Sequence, residues 1–387
     1  MTTARQKALR FVVSLGIVSL FADLTYEGGR SILGSFLASI GASAVFAGTV
    51  AGLGEFLGYA IRLASGRLVD RTRQYWPVMI GGYVINMLSV PALALASAPW
   101  FAGLLVFTER LGKGARVPAR DALLSHAGHE LGHGKAFGLH EFLDQLGAVA
   151  GPLVVSAAVA YSGYRFGFGV LVVPAVIALF FLWRARGVEG GEVSHAHAGT
   201  AHLDRRYYFY LAFSVVSVLG FSHFVLVAYH LGHAQRLAPA LIPLLYGVAM
   251  GVDALAALAT GWLYDRYGLK VLIALPLLTL PAVPLLFLPE QPALVWLGAG
   301  FWGAALGVQE STMRAGVATL TPSAIRATAY GVFDTCFGLS WLVGSTLLAA
   351  LYSHSPMTLT VAAVVFQLAA LPLLFLTLRD LPKHRHA

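Results

Sequence analysis

Four polar side chains lie close together near the beginning of an otherwise apolar chain. Asp23, Tyr26, Glu27 and Arg30 follow one another at offsets of three, four and seven residues from the first, which places all four on one face of an α-helix. Such a stripe could bind a proton or the polar group of a small molecule. The structural alternative is an ion pair of Arg30 with Asp23 or Glu27, but four residues exceed what charge neutralisation needs.

A second group of candidates lies in the apolar segment that begins near residue 100. Glu109 and Arg110 fall near its middle, and Lys113 follows four residues after Glu109. An ionisable side chain inside such a segment is costly and is a candidate functional residue by default. The structural alternative is that Lys113 only neutralises Glu109, because residues four apart are neighbours on a helix.

The next apolar segment holds three further candidates, His140, Glu141 and Asp144. His140 and Asp144 are four residues apart and share a helical face. Asp144 or Glu141 facing Arg110 would suit alternating protonation, whereas plain ion pairing is the alternative. Charge is sparser in the second half of the chain, where a lone histidine is more often a hydrogen-bonded core residue. The candidates there are His223 and Asp334.

The elements that must position these side chains are membrane-spanning helices. Hydrophobic residues make up 58% of the 387 residues and charged residues only 11%, against about 25% charged residues in soluble domains. No Asp, Glu, Lys or Arg occurs in residues 74–108 or 335–378. A bilayer-spanning helix needs about 20 apolar residues, so each run is long enough for a helical hairpin. The net charge of +8 is spread over short turns, which favours a lipid partner over nucleic acid.

The apolar runs between charged or Gly/Pro/Ser-rich turns predict twelve spans and therefore an all-α integral membrane protein. Basic residues concentrate in the even-numbered turns, which predicts that both termini are cytoplasmic in a multi-pass protein of the inner (plasma) membrane. The spans are expected to start near residues 10, 44, 77, 100, 136, 166, 207, 237, 271, 292, 327 and 357.

An internal repeat divides the chain into two halves. The stretch Gly66-Arg67-Leu68-Val69-Asp70-Arg71 recurs 195 residues later as Gly261-Trp262-Leu263-Tyr264-Asp265-Arg266. Each copy closes an apolar run and opens a basic turn. The repeat predicts a first six-helix bundle in residues 1–186, a polar cytoplasmic linker in 187–206 and a second bundle in 207–387.

Twelve spans, two Gly-x-Leu-x-Asp-Arg turns and Arg110-x-x-x-Gly114 in the fourth span resemble the major facilitator superfamily. The resemblance implies a fold of two pseudo-symmetric six-helix bundles. It also implies that Arg110 takes part in proton coupling. The segment Gly147-x-x-x-Gly151-Pro152 is similar to the antiporter motif of that family, which implies export. The cytoplasmic gate that the resemblance implies comprises Gly66, Asp70, Arg71, Gly261, Asp265 and Arg266.

Two acidic residues in the inner halves of spans are expected to serve this gate. Glu55 and Asp253 lie in the second and eighth spans. We expect them to pair with basic residues at the cytoplasmic ends of the spans. The expected partners are Arg62, Arg71 and Arg266.

The sequence therefore predicts a secondary-active transporter that moves a small polar or amphipathic solute by alternating access. Protons are the expected driving ion, no cofactor or bound metal is expected, and the expected state is a monomer. The alternatives are uptake by proton symport and divalent-metal efflux with Asp23, His140, Asp144 and His223 as ligands. An enzyme is not expected, because the sequence has no metalloprotease, nucleophile-elbow or phosphate-loop motif.

Overall fold

The computed structural model describes residues 4–131, 133–186, 203–322 and 325–379, and these residues are helical almost throughout. Two short 3-10 helices, Leu93–Leu95 and Gly268–Ile273, extend the α-helices beside them. The α-helices are α1 (Ala4–Ser39), α2 (Ala44–Thr72), α3 (Tyr75–Ala92), α4 (Pro99–Leu131), α5 (His133–Val170), α6 (Val172–Ala185), α7 (Arg205–Leu219), α8 (Phe224–His233), α9 (Leu241–Tyr267), α10 (Ala274–Phe287), α11 (Pro292–Leu320), α12 (Arg326–His354) and α13 (Pro356–Leu378).

These helices make the twelve predicted spans. The helix α5 is broken at Ser162 and Gly163, where Gly163 has φ +75°, a left-handed conformation that glycine adopts without a steric penalty. The part of α5 after the break continues into α6 as the sixth span. The helices α7 and α8 together form the seventh span, with an interruption at residues 220–223. The prediction of an all-α fold with twelve spans is confirmed.

Most of these spans are recognisable from length and hydropathy alone. Among the described residues, eight helical stretches are long and apolar enough to cross a membrane. Two of them, Ala136–Ala185 and Leu241–Phe287, are 50 and 47 residues long, which is enough for two spans each. The spans outside these stretches are α4 and α11. Both carry charged side chains, Glu109, Arg110 and Lys113 among them in α4 and Glu310 and Arg314 in α11.

The described residues form two compact units. The first contains α1 to α6 together with Phe224–Met250, which comprises α8 and the first part of α9. The second contains α7, the rest of α9 and the helices that follow. The predicted linker lies outside the described residues, apart from its last four positions.

Within the first unit, α1 and α5 lie side by side and run in the same direction. Gly147 of α5 meets the backbone of α1 at Leu20, and Gly151 meets it one turn later at Leu24. Small residues let two helix backbones approach closely in a membrane. The glycine pair of the antiporter-like segment therefore sets the register of α5 against the helix that carries the polar stripe.

Within the second unit, side chains stabilise the interruption at residues 220–223, which follows α7. The Trp302 Nε1 donates to the Ser222 carbonyl at 2.9 Å, and the Gln367 Nε2 donates to the Ser217 carbonyl at 2.8 Å. In a bilayer a carbonyl without a helical partner needs such a donor. The interruption is thus stabilised by α11 and α13.

Candidate functional site

The polar stripe of α1 meets charged side chains from α2 and α4 in the first unit. Arg110 lies at the centre, and it is 6% exposed. Its Nη2 is 3.1 Å from Glu55 Oε1, and its Nε is 3.2 Å from Glu109 Oε2. The same Glu55 oxygen contacts Arg30, which also pairs with Glu27 at 3.5 Å. Three carboxylates and two guanidinium groups therefore form one continuous ion-pair network.

Tyr26 connects this network to a third cation. Its hydroxyl accepts a hydrogen bond of 2.6 Å from Arg110 Nη1. The Lys113 ammonium lies over its ring, 3.4 Å from the centroid, and the Arg30 guanidinium lies 5.3 Å from it. An aromatic face attracts cations, most strongly where water is excluded, and Tyr26 is only 3% exposed. Tyr26 thus holds the cationic side chains of two helices together.

Two uncharged side chains bind the outer carboxylates of the network. The Asn86 amide of α3 donates to Glu109 Oε1 at 2.6 Å. The Tyr246 hydroxyl of α9 donates to Glu27 Oε2 at 2.5 Å. A cavity of about 20 Å³ borders the network beside Tyr26, Arg110 and Glu109, which is room for a single water molecule. The hydrogen bonds that Asn86 and Tyr246 donate hold the buried carboxylates of Glu109 and Glu27 in place.

A second polar group lies beside the network, between α1, α4 and α5. Asp23 is buried, and the charged groups that act on it include Asp144, Lys113 and Arg116. Arg116 is 1% exposed and stacks on the Tyr83 ring at 4.1 Å. The stripe on α1 therefore serves two clusters, with Glu27 and Arg30 in the network and Asp23 in the second group.

The remaining candidates of α5 have different surroundings. His140 is buried, and its Nε2 lies 2.8 Å from the Ser19 hydroxyl of α1. Asp144 lies one helical turn further along α5, where its side chain is half-buried. Glu141 is exposed, because it points away from α1. The structure brings His140 and Asp144 to α1, and the carboxylate partners of Arg110, Glu55 and Glu109, come from α2 and α4 instead.

Two candidates of the second half lie in the second unit. His223 is buried, with its ring 5.3 Å from that of Trp341 in an edge-to-face arrangement. Asp334 is partly exposed and lies 3.4 Å from Arg314. Both have protein partners within their own unit, as expected for core or ion-pair residues.

The repeated motif occupies the last turns of α2 and α9. The side chains of Arg71, Asp265 and Arg266 are exposed there, and the side chain of Asp70 lies outside the described part. Gly66 and Gly261 are half-buried. The motif forms the C-terminal ends of α2 and α9. Its role as a gate stays a prediction.

Two acidic side chains have partners that the sequence did not single out. The carboxylate of Glu55 contacts Arg30 and Arg110, because α2 packs against α4 at this level. The carboxylate of Glu109 pairs with Arg110 and Asn86, and the ammonium of Lys113, its partner in the structural alternative, lies over the Tyr26 ring. Sequence reasoning also missed Asn86 and the contact of Tyr246. The sequence signal for Asn86 was an amide side chain inside the charge-free run 74–108.

The candidate metal ligands form no metal site in the part of the chain that the structure describes. Within the described ranges, no group of three or more His, Cys, Asp or Glu side chains is arranged to hold a metal ion. His140 is bonded to Ser19, and His223 lies edge-to-face against Trp341.

The fold and this arrangement of helices are shared with known transporters. The family model of the Major Facilitator Superfamily matches residues 15–345 and 209–387. The chain belongs to the major facilitator superfamily. It is a multi-pass membrane transporter and not an enzyme, and the superfamily fold comprises two pseudo-symmetric six-helix bundles. The expected family and fold class are confirmed.

Relatives and solved structures agree with this assignment. The chain is 42% identical to the protein Rv2265 of Mycobacterium tuberculosis, over 95% of this chain and 93% of that one. It is 29% identical to the multidrug resistance protein MdtH of Photorhabdus laumondii, over 38% of this chain and 37% of that one. A mutant of the nucleoside transporter NupG has the same fold, with a TM-score of 0.77, 14% identity and coverage of 95% and 99%.

The bond between Tyr246 and Glu27 gives a first testable prediction. Tyr246→Phe removes the hydroxyl from a buried carboxylate, and a hydrogen bond to a charged group contributes about 1.5–3 kcal/mol. We expect a lower melting temperature of the purified protein. Tyr229→Phe is the matched control, since that hydroxyl donates to the neutral Ala42 carbonyl at 2.9 Å. An equal or larger loss in the control would contradict the importance of the Glu27 bond.

Proposed function

We propose that this transporter exports a small polar or amphipathic solute in exchange for protons. The observation that carries the proposal is the buried Arg110, whose guanidinium binds Glu55, Glu109 and Tyr26. A guanidinium group stays charged in a protein. The network can therefore change its charge and its bonds only when one of its carboxylates gains or loses a proton.

Glu55 is the carboxylate whose protonation would change the network most. One oxygen of Glu55 contacts both Arg30 and Arg110. A protonated carboxyl group binds an arginine far more weakly than a carboxylate does. Protonation of Glu55 would loosen α2 from α1 and α4 at once and leave one donor group of each guanidinium open to a polar group of the solute.

Two observations support export. The Gly147-x-x-x-Gly151-Pro152 segment resembles the antiporter motif, and its two glycines bring α5 into direct contact with the α1 backbone. A partial relative, MdtH, is named a multidrug resistance protein. Both support outward movement of a solute from the cytoplasm.

The mechanism we propose is alternating access between the two six-helix halves, residues 1–186 and 207–387, joined by the linker 187–206. Both termini would be cytoplasmic in the inner membrane, the proton gradient would be the only energy source, and the working unit would be a monomer. The Gly66–Arg71 and Gly261–Arg266 turns would close the cytoplasmic side.

The proposal is tested in two steps. A thermal-shift screen of the purified protein against sugars, amino acids, antibiotics and metal salts identifies a solute. Everted membrane vesicles then measure accumulation of that solute with an imposed pH gradient and after an ionophore collapses it. Accumulation that stops with the gradient is the expected result. Accumulation that is unchanged without a gradient would refute proton coupling, and loss of solute from the vesicles under the gradient would refute export.

The proposed gate gives a second prediction. Asp70→Asn is expected to slow transport in vesicles while leaving the solute-dependent thermal shift nearly unchanged, because the gate moves and does not bind. Asp265→Asn should act in the same way in the second copy. Asp204→Asn, a change at an exposed side chain before α7, is the control and should leave both readouts unchanged. Loss of binding in Asp70→Asn would contradict the separation of gate and site.

A further inference from the structure

A pocket at one end of the first unit lies apart from the ion-pair network. Its volume is about 480 Å³, which is within the range of small-molecule sites. It lies between the end of α1, the break in α5, the end of α8 and the turn that leads to α9. The Gly66–Arg71 turn is at the opposite end of the unit, because α2 begins beside the end of α1 and runs back along it. The polar residues that line the pocket are Ser35, Ser39, Tyr164, His233 and Gln235.

The three hydroxyl groups of this pocket already use their protons. The Ser35 hydroxyl donates to the Ala228 carbonyl at 2.7 Å. The Ser39 hydroxyl donates to the Phe36 carbonyl, also at 2.7 Å. Tyr164 is hydrogen-bonded to Ser35, so the proton in that bond comes from Tyr164. A hydroxyl oxygen has two lone pairs besides its proton, and these three groups can therefore still accept hydrogen bonds. A ligand must supply the donors.

The charge of the lining selects among possible donors. None of the lining residues that the structure describes is Asp, Glu, Lys or Arg. An ammonium group that leaves water needs an anionic partner, which this lining does not supply. A phosphate or carboxylate group has no proton to donate to the three oxygens. An uncharged molecule with several hydroxyl groups, such as a sugar, satisfies both conditions.

Gln235 has a backbone conformation that glycine usually adopts. Its φ is +51°, and its amide nitrogen donates to the Gly232 carbonyl at 3.3 Å. The next amide nitrogen, that of Arg236, donates to the Leu231 carbonyl at 3.0 Å. This is the pattern of a helix end at which glycine is the common residue. A side chain at such a position has a steric cost, and residues with strained backbones cluster at ligand sites. Here the strained residue brings an amide group, which both donates and accepts, to the pocket.

We propose that this pocket binds an uncharged, hydroxyl-rich molecule. Ser35, Ser39 and Tyr164 accept hydrogen bonds from its hydroxyl groups, and the Gln235 amide donates to them and accepts from them. The site is separate from the network around Arg110. The proposal assumes neither export nor proton coupling.

Calorimetric titration of the purified protein tests the site with three neutral sugars, which are glucose, maltose and sucrose. The protein is kept in an amine-oxide detergent, because a maltoside detergent presents the same chemistry as the probes. We expect a neutral sugar to bind. Glucosamine and glucuronate carry an ammonium and a carboxylate group on a similar ring, and we expect them to bind about tenfold more weakly than the neutral sugar.

Gln235→Gly separates a role in binding from a purely structural one. Glycine adopts a left-handed conformation without strain, so the melting temperature should rise. The sugar should bind about tenfold more weakly, because one hydrogen-bonding side chain is lost. Arg73→Gly is the matched control, since Arg73 is the other non-glycine residue of the described part with a positive φ, 56° at the end of α2. It should raise the melting temperature in the same way and leave sugar binding unchanged.

Three results would overturn the site. They are a protein that binds none of the three neutral sugars, charged sugars that bind as tightly as neutral ones, and wild-type sugar affinity in Gln235→Gly. Tyr164→Phe keeps the ring and removes one acceptor, so it replaces Gln235→Gly if that variant does not fold. Wild-type affinity in Tyr164→Phe would then overturn the site as well. Vesicle transport is measured separately, so either this proposal or proton-coupled export can fail while the other stands.

Discussion

Arg110→Leu is expected to abolish transport and to destabilise the protein by about 3–5 kcal/mol, the range found when one partner of a buried ion pair is removed. The change leaves Glu55 and Glu109 facing each other without the guanidinium that binds both. It also removes the donor to the Tyr26 hydroxyl. The melting temperature of the purified variant and solute accumulation in everted vesicles are the measurements.

A rescue variant separates stability from transport. Arg110→Leu combined with Glu55→Gln removes one of the uncompensated charges, so part of the lost stability should return while transport stays absent. Arg165→Ala changes an exposed arginine on α5 and should alter neither readout. If Arg110→Leu transported solute at the wild-type rate, the network could not be the coupling site.

Gly151→Val is expected to lower stability by about 3 kcal/mol, the upper part of the range for overpacking. A Cβ atom at this position would collide with the Leu24 carbonyl and lie 2.9 Å from the Gly28 nitrogen. Both atoms belong to the α1 backbone, which cannot move aside as a flexible side chain can. The variant should show a low yield of folded protein and a reduced melting temperature.

The matched control for this change lies on the same helix. Gly138 has no described atom within 4 Å of the position that its Cβ would occupy. Gly138→Val should leave stability unchanged or raise it slightly, since valine favours a helix over glycine. Equal losses at the two glycines would show that contact with the α1 backbone does not determine the effect.

The sequence predicts which side chains share a helix face far better than which helices face one another. The offsets in α1 put Tyr26, Glu27 and Arg30 on one face, and all three contact the same network. Arg110 of α4 could be singled out as an ionisable group in an apolar span. Both inferences use only the geometry of a single helix.

Contacts between helices could be identified only from the packing of the helices in the structure. Glu55 was expected beside basic residues at the cytoplasmic ends of the spans, but Arg30 of α1 and Arg110 of α4 contact it. The reason is the closeness of α2 and α4, where Gly54 lies against the Arg110 side chain. Tyr246 is 219 residues from Glu27, a separation at which periodicity carries no information.

The packing of α8 on α1 sets an order for biosynthesis. Ser35 donates to the Ala228 carbonyl, and Tyr229 donates to the Ala42 carbonyl. At ribosomal rates of about 5–20 residues per second, nearly 200 residues take roughly 10–40 s. The first helix therefore waits in the bilayer for partners that have not been translated yet. Its polar stripe is covered earlier, because Glu55 follows Arg30 by 25 residues and Arg110 follows Tyr26 by 84 residues.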